Sequence, residues 1–199
     1  MLALTDNSSQ FDIFVSLAGP DREDVRPIIK ALNGIIDERH HESYAKEWNV
    51  RTSELARSSS AELLAHVTDL GFAWRDIARL LGVTVQAIQK WRRGANTSGE
   101  NRRNIAGLLA ACAMLSENYG IQEVASWFEM PLLQGLAVTP IDLWASDRPD
   151  LVFDYGSGHG TDPEQILTNW DPQWRERYRS DFEVFRAEDD QLSIRPKDM

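Results

Sequence analysis

Seven basic residues fall between Gly71 and Arg103: Arg75, Arg79, Lys90, Arg92, Arg93, Arg102 and Arg103, opposed only by Asp76 and Glu100. That window is +5 on a 199-residue chain of net charge −10, which leaves −15 on the rest. Cationic groups gathered on an acidic chain suit one local anionic partner rather than bulk attraction; a solvated charged helix face is the alternative. Other chemistry-bearing residues group less well. Cys112 is the single cysteine and sits in an apolar run, so it reads as a small core residue. With no disulfide framework available, a cytoplasmic setting is expected. Glu38-Arg39-His40-His41-Glu42 lacks ligands at the helical spacing a metal site needs, and a solvated face is expected there. No Ser-His-Asp or Cys-His grouping emerges, so no catalytic residue, metal or cofactor is expected.

The basic island must be held by helices. Gly71, Gly82 and Gly94 punctuate the stretch, and the periodicity predicts helices over about 60–70, 74–81, 85–93 and 100–117, with a fifth from about Ile121 to Phe128. Ser58-Ser59-Ser60 reads as a hinge or N-cap. Upstream, Phe11 to Leu17 is β-rich, Asp21 to Leu32 reads as a helix, and 34–57 as one or two amphipathic helices. Downstream, short helices are expected at Ile141–Ala145, Arg148–Tyr155, and after Asp162-Pro163 and Asp171-Pro172. No run approaches the ~20 apolar residues of a membrane-crossing helix, and the N-terminus does not read as a signal peptide.

The central stretch Trp74–Gly94 places Ile77, Ala78 and Leu81 on one stripe. Gly82 permits a left-handed turn, Thr84 can cap the next helix, and Val85, Ile88 and Trp91 suit an inward face. A short turn between two short helices is a DNA-reading geometry. The stretch closely resembles the lambda-repressor-like (Xre-type) helix-turn-helix family through Ile77-Ala78, Leu81-Gly82-Val83-Thr84, Ile88, Trp91 and Gly94. The resemblance implies double-stranded DNA as partner. It places Thr84, Val85, Gln86, Gln89 and Lys90 at base edges, where Gln can pair adenine and Val can touch a thymine methyl. It places Trp74, Arg75, Arg92, Arg93 and Asn96 near phosphates. A homo-oligomer, most simply a dimer on inverted half-sites, is expected.

Ala125–Phe128, then Leu136 and Thr139-Pro140-Ile141-Asp142-Leu143, resemble the toxin-binding region of Xre/MbcA/ParS-type antitoxins, which implies a cognate toxin encoded nearby. A helical bundle serving dimerisation is the alternative. Trp174, Tyr178, Phe182 and Phe185 recur at spacing that makes an aromatic stripe if the segment is one helix, suited to the chain's own core or to a partner's groove. Trp174, Tyr178 and Phe182 are the candidate toxin contacts.

Phe11–Ser16 followed by Asp21-Arg22-Glu23 resembles the opening strand and first helix of a TIR domain, but the later strands of that fold do not follow. Asp154-Tyr155-Gly156-Ser157-Gly158-His159-Gly160 is similar to a methyltransferase glycine loop without the sheet that such enzymes need, and a flexible loop is expected. The fold expected is therefore mainly α. It has a strand-helix segment over 1–57, a lambda-repressor-like DNA-binding bundle over 58–118, an antitoxin-like helical region over 119–187 and a disordered tail over 188–199. The function expected is a transcriptional regulator of antitoxin type that represses its own operon and neutralises a toxin. A plain Xre-type transcription factor is the runner-up, and a nucleotide-cleaving enzyme using the TIR-like segment is third.

Overall fold

The computed structural model describes residues 41–158, 162–178, 182–186 and 192–196. The expected strand at Phe11–Leu17, the helix at Asp21–Leu32 and the TIR-like segment lie outside the described residues, as do Glu38–His40 and His159-Gly160. The chain divides into two compact units, Met1–Lys46 and Glu47–Met199. The described residues are mainly helical. Helix α1 covers 41–55. It is followed by α2 (Ser60–Asp69), α3 (Trp74–Leu80), α4 (Val85–Arg92), α5 (Gly99–Tyr119), α6 (Val124–Glu129), α7 (Pro140–Ala145), α8 (Pro149–Ser157), α9 (Pro163–Trp170) and α10 (Trp174–Tyr178). Strands β1 (Phe182–Arg186) and β2 (Leu192–Pro196) pair antiparallel with Val184 opposite Ile194.

Local chemistry accounts for the helix ends. Ser59 caps α2 with a reciprocal pair: its hydroxyl accepts from the Glu62 backbone N–H, and the Glu62 carboxylate accepts from the Ser59 N–H. The Ser59 N–H on that carboxylate, and after it the Ser59 hydroxyl, hold the Glu62 carboxyl below its ordinary range. Ser98 caps α5 through the Asn101 N–H, and Asp162 caps α9 through the Glu164 N–H. Prolines at the starts of α7, α8 and α9 fit a position whose N–H has no intrahelical partner.

The core forms around α5. Ile105, Ala106, Leu108, Ala110, Ala111, Cys112, Met114 and Leu115 are all buried along it. Helices α2, α6 and α8 pack on it. Within the second unit, the Trp48 indole N–H of α1 donates to the Gly107 carbonyl at 2.7 Å, and Arg51 pairs with Glu117 at 2.7 Å. Gly107 makes the first contact possible, since a Cβ there would already stand 3.4 Å from the Trp48 ring. Phe72, Phe128, Trp144, Trp48 and Phe153 link edge to face through successive T-shaped pairs.

Two expectations are corrected by the backbone. The stripe from Trp174 is not one helix: α10 ends at Tyr178, and Phe182 and Phe185 lie on β1. The segment expected to be disordered from 188 includes β2, whose Leu192 and Ile194 alternate as a strand requires.

Burial pushes the Cys112 thiol up to about 12 from its ordinary 9.0. The folded chain therefore keeps this proton at pH values where the unfolded chain releases it, and stability falls as pH rises above about 9. The loss approaches about 1.4 kcal/mol per pH unit for one proton. Denaturant unfolding between pH 7 and 10 should show it, with a flatter curve for Cys112→Ala. Equal slopes in the two proteins count against a thiol held in the core.

Candidate nucleic-acid interface

Helices α3 and α4 pack on each other across the turn Leu81–Thr84, and α4 also rests on α2. Gly82 adopts φ +64°, a conformation that side-chain-bearing residues enter at a cost. The Val83 N–H then returns to the Ala78 carbonyl at 2.9 Å, which closes α3. The Thr84 hydroxyl opens α4 by accepting from the Ala87 N–H at 3.2 Å. An eight-residue helix is far too short to persist alone in water. Ile88 is its one fully buried side chain, and that burial plus the cap holds it in place.

The outward face of α4 follows from that single anchor. At 100° per residue, Gln86, Gln89, Lys90 and Arg93 share one face, opposite Ile88. All four are exposed. Thr84 is exposed at the helix start, and Val85 is half-buried beside it. The five residues expected at base edges, Thr84, Val85, Gln86, Gln89 and Lys90, thus lie on one short helix and its cap, four of them exposed.

The residues expected near phosphates surround this helix unevenly. The Arg92 guanidinium lies over the Trp74 ring, 4.9 Å from its centroid, so the first turn of α3 and the last turn of α4 are joined by a cation–π contact. Trp74 is half-buried and acts as this platform. Arg75 is 88 % exposed, and its Nε stands 3.7 Å from the buried Asp76 carboxylate. Arg93 and Asn96 are exposed. Lys90, Arg93 and Arg102 form no ion pair with any described residue, so their charge is directed at solvent. Thr97, in the loop between α4 and α5, has a buried hydroxyl with no hydrogen-bond partner among the described residues.

Arg79 differs from its basic neighbours. It pairs with Asp142 at the start of α7, while the same carboxylate accepts from the Thr139 N–H and hydroxyl, each at 2.9 Å. Helix α3 packs along α7. The Thr139–Leu143 segment, which the resemblance assigned to toxin binding, therefore spends Asp142 on capping its own helix and gripping α3. Local spacing gives no sign of this tie, because its partners are 63 residues apart.

The three expected toxin contacts lie on two kinds of element, Trp174 and Tyr178 on α10 and Phe182 on β1. Trp174 is only 5 % exposed; its indole N–H donates to Thr168 at 3.3 Å and Arg175 lies over its ring. Tyr178 is 38 % exposed and its ring lies 5.2 Å from that of Trp170. Phe182 is on β1. Trp127 is half-buried and stacks on Tyr155 at 5.4 Å. No group of three or more potential metal ligands occurs among the described residues, and none of their helices is long and apolar enough to cross a membrane.

Gly82 allows the turn to be tested apart from packing, since a Cβ at that position meets nothing within 4 Å. Gly82→Ala should therefore cost about 1–2 kcal/mol from backbone conformation alone. Chemical denaturation measures it, and an unchanged midpoint would contradict a left-handed turn. In comparisons with known proteins, no family model, curated protein or solved structure matches this chain.

Proposed function

We propose that this chain is a sequence-specific duplex DNA-binding regulator that places α4 in the major groove. The observation that carries the reading is the outward face of Gln86, Gln89, Lys90 and Arg93, presented by a helix with one buried anchor and flanked by unpaired cations. Amides and a lysine ammonium are groups that hydrogen-bond to base edges in that groove. Arg75, Arg92, Arg93, Asn96 and Arg102 surround them with donors suited to phosphate, which fixes register without reading sequence. The −15 carried by the rest of the chain confines attraction for DNA to this patch. As with many single helix-turn-helix modules, two copies on inverted half-sites would supply enough base contacts for specificity.

Neutralisation of a cognate toxin is the second role, supported by the resemblance at Ala125–Phe128 and Thr139–Leu143. Tyr178 is its most direct probe, being the exposed residue of the three candidates with a described side chain. Co-purification with the product of a neighbouring gene, reduced for Tyr178→Ala, is the expected result. An unchanged yield of complex removes Tyr178 from the contact.

Selection of bound sequences from a random duplex pool tests the DNA reading directly. An enriched palindromic site is expected, and recovery of random sequence overturns the proposal. On the selected site, Gln86→Ala should lose about 1–3 kcal/mol with little loss on random DNA. Arg92→Ala with Arg93→Ala should weaken both and reduce the salt slope by up to about two phosphate contacts. Equal loss on both DNAs for Gln86→Ala, or an unchanged salt slope for the double variant, places these residues elsewhere.

A further inference from the structure

Beside the turn between α3 and α4, a cleft of about 270 Å³ opens among α1, α5 and the C-terminal end of α7. Leu80, Leu81 and Gly82 form one part of its lining. Trp48 and Trp144 form another, with ring centroids 5.9 Å apart and planes 77° to each other. The Trp48 indole is fixed by its bond to the Gly107 carbonyl. The cleft therefore has a rigid aromatic wall.

Its polar lining is incompletely paired. Thr52 is 5 % exposed, and its enclosed hydroxyl has no hydrogen-bond partner among the described residues. Leaving a hydroxyl buried and unpaired is costly, and native structures seldom do so without a ligand, water or special role. Arg103 reaches only Asn49 Oδ1, at the outer hydrogen-bond limit of 3.5 Å, and pairs with no carboxylate among the described residues. Asp147 follows α7 in a left-handed conformation, φ +59°, and its carboxylate pairs with no described cation. Arg103 and Asp147 are both exposed members of the lining, whereas Thr52 is a buried one.

We infer that this cleft binds a small aromatic zwitterion of the amino-acid class. Two tryptophan rings suit a flat apolar body, the guanidinium suits a carboxylate and the Asp147 carboxylate suits an ammonium. A purely anionic ligand would meet the Asp147 charge unopposed, and a purely cationic one the Arg103 charge. A volume of this size limits the ligand to a single small molecule. The inference does not depend on DNA binding, and its test uses no DNA.

Titration calorimetry of the full chain with L-tryptophan, tryptamine and indole-3-propionate is the experiment. L-tryptophan should bind, and the two singly charged analogues should bind at least about tenfold more weakly, each lacking one charge-assisted bond. Arg103→Gln and Asp147→Asn should each weaken L-tryptophan binding on the order of tenfold; Asn keeps the left-handed backbone accessible. Absence of binding heat at millimolar L-tryptophan overturns the inference. So do equal affinities for the three compounds, or undiminished binding in both variants.

Discussion

The burial of α5 is the constraint on which the second unit depends. Its 21 residues carry Ile105, Leu108, Met114 and Leu115 inward beside Ala106, Ala110, Ala111 and Cys112. The alternation of large and small residues sets how neighbouring helices approach: bulky side chains fill the layer while Gly107 and the alanines admit other elements closely. The pair α3–α4 rests on this arrangement indirectly, α4 through α2 and α3 through α7. The proposed reading helix is thus two steps removed from the central helix. That leaves most of its surface free while its one anchor, Ile88, stays buried.

Charge is segregated with the same economy. Arg79 is neutralised within the fold by Asp142, and Arg51 by Glu47 and Glu117. Among the described residues, most of the cations left without carboxylate partners lie on α4 and the segments flanking it. Exposed ion pairs contribute little to stability, so this distribution is better understood as a choice of which charges remain available. Asp142 is a partial exception, because one carboxylate supports both a helix start and a contact between helices.

The helices between residues 60 and 119 were legible in the sequence because their signals are local. Glycines at 71, 82 and 94 mark helix ends, Ser59 and Thr84 are capping residues, and the apolar period of 3.6 is clear between them. Helix ends matched within about two residues there, as such punctuation allows. The C-terminal aromatics misled for the converse reason. A spacing of i, i+4 and i+8 has meaning only if one helix runs through it, and the chain leaves helix after Tyr178. Burial of Trp174 against Thr168 and Arg175 could not be read from periodicity either. The cleft was illegible because Trp48, Thr52, Arg103 and Asp147 come from separate segments whose juxtaposition only the tertiary fold supplies.

The Arg79–Asp142 tie also limits modularity. Residues 58–118 look like a cassette, yet excising them would uncover the face of α3 that packs on α7 and leave Arg79 without its carboxylate. Grafting these helices onto another scaffold would therefore require transferring α7 and its cap as well. Conversely, shuffling of the kind that builds new regulators from interchangeable parts would be penalised at this seam, and the two halves would tend to be inherited together.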